Sequence, residues 1–203
     1  MNSESVLEEI VLELYRNKLF KIGEYRLTSG KISPYYIDLR ILPSYYDIYS
    51  KIIDISLSKL EKLNFDIVVG IESAGIIHAS FIACKTHKPV GYVRKKPKQH
   101  GTKRLVEGIV ADRNVLVVDD VATTGGSLEH AVNAVRSMGG IVEKAFVFVD
   151  REEGARERLK RLGVELISLM NIWFIINVLV KHRLIDEQTY YLIKNYLNRE
   201  KHS

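Results

Sequence analysis

Apolar and polar positions along the chain change their rhythm near residue 65. Before it, apolar residues recur at helical spacing: Val6, Leu7, Ile10, Val11 and Leu14, then Ile48, Ile52, Ile55 and Leu60. That spacing predicts one helix ending near residue 18 and another over about 46–63. Ser5 and Glu8 suit a capping box on the first. Between the two helices, Gly23 breaks the pattern, 25–27 reads as a short strand, Ser29-Gly30 as a turn, and the segment after Pro34 as extended chain. From Phe65 onward, short apolar runs alternate with helical patterns. Strands are predicted over 65–69, 90–93, 115–118, 145–149 and 164–169. Helices are predicted over 76–86, 128–138 and 155–162, with a tight loop at 70–75, a charged, mobile loop at 95–107 and a stop at Gly139-Gly140. Two further helices close the chain, the second capped by Asp186. This order predicts an α/β fold with a mostly parallel sheet covered by helices on both faces. The first 45 residues or so fall outside the alternation and are expected to form a small N-terminal lobe, a helix with a hood segment. The sheet core is expected over about 65–170 and the closing helices over about 171–203, all in one domain.

The most telling run is Val115-Leu116-Val117-Val118, which reads as a strand buried on both faces. Two carboxylates, Asp119 and Asp120, stand where it is expected to end. Val121, Ala122, Thr123, Thr124, Gly125, Gly126 and Ser127 follow, and Ser127 is placed to cap a helix starting at Leu128. Such a unit gathers backbone amides, three hydroxyls and a helix N-terminus around one small volume, which suits a phosphate. Carboxylates at its mouth can accept hydrogen bonds from the hydroxyls of a sugar. The combination suits a ribose phosphate. The lysine of a Walker A loop is missing, and so is the dinucleotide pattern G-x-G-x-x-G.

In parallel sheets ligands bind beyond the carboxyl ends of the strands. Two other strand ends carry suggestive residues. Gly70-Ile71-Glu72-Ser73-Ala74-Gly75 would let backbone amides approach an anion such as pyrophosphate, or serve as a plain tight turn. Asp150-Arg151 leaves an apolar strand, and Arg151 suits either a planar carboxylate of a substrate or a surface ion pair with Asp150 or Glu153.

Charge sharpens this picture. The chain carries a net +5, with a pI near 9.1, and much of the excess is crowded into Arg94, Lys95, Lys96, Lys98, Lys103 and Arg104. No Phe, Trp or Tyr lies between Tyr92 and Phe146, so the stretch lacks the stacking residues of a nucleic-acid surface. It fits a multiply charged small anion better, as a loop that closes on its ligand and excludes water. The N-terminus lacks the basic and apolar regions of a signal peptide. The run 166–180 is interrupted by Ser168, Asn171 and Asn177 and is short for a membrane span. A cytoplasmic protein without membrane or nucleic-acid partners is expected. The single cysteine, Cys84, excludes an internal disulfide and, at helical spacing from Ile77 and Phe81, is expected to be buried. The histidines outside the basic loop show no metal-ligand spacing. Mg²⁺ held mainly through substrate oxygens is the expected ion, with no dedicated protein site.

The Asp119–Ser127 stretch closely resembles the phosphoribosyl-diphosphate (PRPP) signature of the type I phosphoribosyltransferases. Three more segments resemble the orotate branch. These are Ser29-Gly30-Lys31-Ile32-Ser33-Pro34-Tyr35-Tyr36 (S-G-x-x-S-P-x-Y/F), Arg94-Lys95-x-x-Lys98-x-His100-Gly101 (R-K-x-x-K-x-H-G) and Asp150-Arg151-x-x-Gly154 (D-R-x-x-G). The resemblance implies transfer of the phosphoribosyl group of PRPP to orotate, giving orotidine 5′-monophosphate and pyrophosphate in pyrimidine synthesis. It implies that Arg94, Lys95, Lys98 and His100 neutralise pyrophosphate and that Asp119 and Asp120 hold the ribose hydroxyls. It also implies that Thr123 to Ser127 hold the 5′-phosphate, with Val121 and Ala122 lining the PRPP site, and that Thr123 and Arg151 contact orotate. By the same resemblance, Lys98, His100, Asp119 and Asp120 are expected to carry the catalytic roles. A homodimer is implied, with the basic loop lent to the partner's site. Two departures leave contacts unassigned, since some bacterial members carry Lys where Thr28 and Ser73 stand here. A phosphoribosyltransferase for another base and a PRPP-binding transcriptional regulator are the alternatives.

Overall fold

The computed structural model describes residues 3–26, 30–96 and 104–200. The first helical pattern becomes α1 (Ser3–Arg16), which buries Ile10, Val11 and Leu14. An antiparallel hairpin follows, β1 (Phe20–Arg26) with β2 (Ile32–Ile37), bulged between Ile22 and Tyr25. β1 starts at Phe20 rather than Tyr25, because pairing with β2 carries it through a stretch in which only Phe20 is buried. A 3-10 turn at Leu42–Ser44 leads into α2 (Tyr46–Leu60). The alternating part is β3 (Ile67–Ile71), α3 (Ala74–Thr86), β4 (Val90–Val93), β5 (Val106–Glu107), β6 (Asn114–Ala122), α4 (Gly126–Ser137), β7 (Ile141–Asp150), α5 (Ala155–Arg161) and β8 (Glu165–Asn171). Helices α6 (Ile172–Lys181) and α7 (Glu187–Glu200) close the chain. Asp186 Oδ1 accepts a hydrogen bond from Thr189 N at 2.8 Å, as expected of the cap.

The sheet order is β5-β4-β3-β6-β7-β8. All pairs are parallel except β4–β5. Strand alternation splits the core. Val68, Leu116, Val118, Phe146 and Phe148 pack on one face with residues of α1, α2, α3 and α6. Ile67, Val69, Val115, Val117, Ala145 and Val147 pack on the other with α4 and α5. The hood hairpin joins the first face through α7, where Tyr196 stands edge-on to Tyr35 with ring centres 6.0 Å apart and Lys31 Nζ lies 2.6 Å from Glu200 Oε2.

Four expectations need correction. β6 does not end at Val118 but runs through Asp119 and Asp120 to Ala122, because pairing with β7 continues to Ala122 opposite Asp150. Ser127 does not cap α4. The helix starts at Gly126, and its N-cap is Gly125 in the left-handed region (φ 78°), with no side-chain capping bond. The 95–107 stretch is not all loop, since β5 pairs Val106 with Val93. Cys84 is exposed rather than buried, because the side of α3 that carries Ile77 and Phe81 faces outward.

Candidate active site

The sheet reverses its winding between β3 and β6. From β3 the chain moves outward to β4, and from β6 it moves the other way to β7 and β8. A crevice at the carboxyl ends of the strands opens at such a switch point. The walls here touch backbone to backbone. A Cβ added at Gly75 would lie 2.6 Å from Val118 O and 3.1 Å from Asp119 Oδ1. One added at Gly70 would collide with the Gly75 carbonyl. Ser73, which precedes α3, makes no side-chain capping bond, and neither does Gly125 before α4. Two helix N-termini thus start at the ends of β3 and β6, and both favour negative charge.

The carboxylate pair sits between them. Asp119 Oδ1 accepts from Asp120 N at 3.0 Å, and Asp120 Oδ1 accepts from Val121 N at 2.8 Å. Burial pushes the Asp119 carboxyl well above the usual range; the charge of Asp120 adds to this and Lys95 opposes it. Asp120 is raised by burial as well, against the Val121 amide and the charge of Arg40. Arg40 was given no role by sequence reasoning. It forks onto Asp38 at 2.8 Å from both Nε and Nη2 and donates to Tyr36 Oη at 3.0 Å. Its only sequence signal is the Asp38-x-Arg40 spacing, which puts both side chains on one side of an extended segment.

The base of the basic loop is fastened at several points. Arg94 N donates to Leu105 O at 2.8 Å, and His130 Nε2 on α4 lies 3.1 Å from Arg94 O. The Arg94 guanidinium pairs with Glu107 at 3.2 Å and donates to Tyr92 Oη at 2.8 Å. Lys95 N donates to Glu72 Oε2 at 2.8 Å, tying this loop to the β3–α3 turn. Lys98, His100 and Thr28 lie outside the described residues.

The Asp150-Arg151 turn adjoins the same strand end, since Arg151 N donates to Ala122 O at 2.9 Å, next to Thr123. Of the readings open for Arg151, the pair with Glu153 is formed, but in the interior. Arg151 Nη2 lies 2.8 Å from Glu153 Oε1, with both side chains less than a tenth exposed. Arg151 Nε also donates to Glu153 Oε1 at 2.9 Å and to Tyr35 Oη at 3.2 Å, and the guanidinium lies 4.7 Å from the Tyr35 ring centre. Asp150 instead binds Arg156 at 2.7 Å and accepts from Glu152 N at 2.9 Å. In the Thr123–Ser127 loop, Thr123 is half-buried and Thr124 and Ser127 are exposed. The loop is braced by α5, since a Cβ on Gly125 would stand 2.9 Å from Ala155 Cα.

The model of the phosphoribosyl transferase domain matches residues 43–182. The orotate phosphoribosyltransferase of Sulfolobus acidocaldarius is 48% identical over 189 residues, which are 93% of this chain and 96% of that protein. The chain belongs to the orotate phosphoribosyltransferase family. Among solved structures, the orotate phosphoribosyltransferase of Aeropyrum pernix superposes with a TM-score of 0.75 at 36% identity, over 87% of this chain and 99% of its own. Leishmania donovani UMP synthase superposes with a TM-score of 0.83 at 28% identity; 95% of this chain covers 42% of that one. The α/β fold with its mostly parallel sheet is therefore the family's, and the hood, sheet and closing helices of this chain all take part in the likeness.

Proposed function

We propose that the crevice between β3 and β6 transfers the phosphoribosyl group of PRPP to orotate, the reaction of its family in pyrimidine biosynthesis, with the following division of labour. Asp119 and Asp120 accept hydrogen bonds from the ribose hydroxyls. Thr123 to Ser127 and the start of α4 hold the 5′-phosphate, with Val121 and Ala122 beneath the ribose. The β3–α3 turn, Lys95, Lys98 and His100 face the diphosphate. Arg94 lies at the root of that group and fixes the hairpin from which it projects. The Thr123 backbone and Arg151 meet orotate, Arg151 turning one donor edge to the base while Glu153 holds the other.

The chemistry needs little covalent help from the protein. C1 of the ribose gains oxocarbenium character as pyrophosphate departs, and the orotate nitrogen bonds to C1. The chain positions the partners and stabilises the departing charge. Mg²⁺ suits the hard carboxylate oxygens of Asp119 and Asp120. Among the described residues no three His, Cys, Asp or Glu side chains converge, so the ion would be held mainly through diphosphate and ribose oxygens. Bound there, it would supply positive charge to the leaving group.

The working unit in this reading is a homodimer whose basic loop reaches the partner's site. The outward face of α3 supports it: Ile77 and Phe81 are 41% and 46% exposed, and Cys84 lies beside them. Among the described residues no helix is long and apolar enough to cross a membrane. Both substrates are anions that do not pass a bilayer unaided, which supports a reaction in the cytoplasm, where the pyrimidine pathway would supply them.

The observation that carries this function is the carboxylate pair at the switch point beside a helix N-terminus that no side chain caps. Mixing the protein with PRPP, Mg²⁺ and a panel of bases tests it. Orotate is expected to be consumed, and adenine, hypoxanthine and uracil barely. Faster use of a purine would overturn the base assignment.

A further inference from the structure

Helix α5 delivers a positive charge to the loop read as the 5′-phosphate nest. Arg158 Nη1 lies 3.7 Å from the point where a Cβ on Gly126 would stand, and Thr124 Oγ1 lies 3.9 Å from that same point. The guanidinium therefore sits at the first turn of α4, beside a loop hydroxyl. It is half-buried and donates from Nη1 to Glu129 Oε2 at 2.9 Å. Glu129 belongs to the first turn of α4 itself, so the anchor and the loop move together. The tight contact of Gly125 with Ala155 sets the distance between α5 and the loop. Arg158 and Thr124 also line one cleft of about 670 Å³ of mixed charge, in which Lys31, Arg156 and Arg161 stand with Glu152, Glu153, Glu157 and Glu200.

We propose that Arg158 is a further substrate-binding residue, whose guanidinium neutralises the 5′-phosphate of PRPP and of the nucleotide product. The inference rests on the reading of Thr123–Ser127 as the phosphate nest. A phosphate monoester carries close to two negative charges at neutral pH. Backbone amides, hydroxyls and a helix N-terminus offer it dipoles but no full charge. Arg158 supplies one from outside the signature loop. The bond to Glu129 occupies one edge of the planar guanidinium, and a second edge stays available to an anion. Glu129 orients the side chain while the site is empty.

The test compares binding of orotidine 5′-monophosphate and of orotidine, which lacks the phosphate, by calorimetry. Arg158→Gln should weaken the nucleotide about tenfold, the order of one charge-assisted contact, and leave orotidine and inorganic pyrophosphate unchanged. Arg158→Lys should keep part of the preference. Ser127→Ala and Thr124→Ala probe the nest separately. If they leave the nucleotide-over-nucleoside preference intact, the nest reading fails and Arg158 falls with it. If they erode the preference and Arg158→Gln does not, the nest stands and the role of Arg158 is refuted. Equal weakening of nucleotide and nucleoside by Arg158→Gln would mean a general disturbance of the site and would also refute it.

Discussion

Asp119 and Asp120 form a residue pair that is costly to the fold when ionised and, in the proposed reading, necessary to the site. Burial raises both carboxyls, and at Asp119 the neighbouring charge adds to it. A carboxyl raised in the folded state stabilises that state below its unfolded value, and the gain is lost as pH climbs through the raised one. Wherever both are ionised, the pair therefore costs stability. Asp119→Asn or Asp120→Asn should leave the melting temperature at pH 7 unchanged or higher, while PRPP use drops about 10- to 150-fold, the worth of a charge-assisted hydrogen bond of roughly 1.5–3 kcal/mol. Differential scanning calorimetry and initial rates check both halves, and a variant that melts early yet stays fully active would make the pair structural. PRPP affinity should also fall as pH drops through the raised carboxyl range, since protonation removes the charge and turns one acceptor oxygen into a donor, and this slope should flatten in the Asn variants. His78 is a contrasting case. It is buried against Tyr49 and Phe148, its pKa is pushed down to about 4 by burial, and it stays neutral across that range.

At the scale of elements, three segments distant in sequence meet at Arg151. Tyr35 comes from β2, Arg151 and Glu153 from the turn after β7, and Tyr196 from α7. Glu153→Gln leaves a buried guanidinium without its counter-charge, a loss of about 3–5 kcal/mol for broken interior pairs. The ligand-free variant should melt well below the parent, and orotidine 5′-monophosphate should restore more of its stability than it adds to the parent, because the base carboxylate replaces Glu153. Equal ligand shifts in parent and variant would place orotate away from Arg151. The signature loop and the strand–helix alternation were legible because each is written in contiguous residues, and Val115–Val118 needs no partner to read as a buried strand. The far end of β6 was not legible, since Asp119 and Asp120 remain in strand only through pairing with β7. Ser127 looked like a cap because its side chain suits one, whereas the positive φ of Gly125 starts the helix earlier. Arg158 and Tyr196 carried no usable signal, and Arg40 only its spacing from Asp38. Each reads as an ordinary polar or aromatic position until the hood, α5 and α7 are docked.

Across the whole molecule, the exposed strip of α3 is the surface that the proposed homodimer would cover. Phe81→Asp should shift the protein toward monomer in sedimentation and lower its activity with it. Lys98→Ala should cut turnover severely, since unshielded pyrophosphate is a poor leaving group. Mixed with Asp120→Asn and re-annealed, it should regain activity, because one site of the hybrid dimer then combines an intact Asp120 with a partner's intact Lys98. Subunit exchange without recovery would mean that each loop serves its own site. The crevice itself has a temporal consequence. Its two walls follow strands that pair Ile67 with Val115, so α3, β4 and the basic loop must be threaded between them before they meet. Closing so long a loop is the slow kind of step in folding. During synthesis the β3 wall leaves the ribosome well before its counterpart exists. In the proposed reading, a growing chain would carry half of the diphosphate cradle without Asp119 and Asp120, and would not hold PRPP until the centre of its sheet is complete.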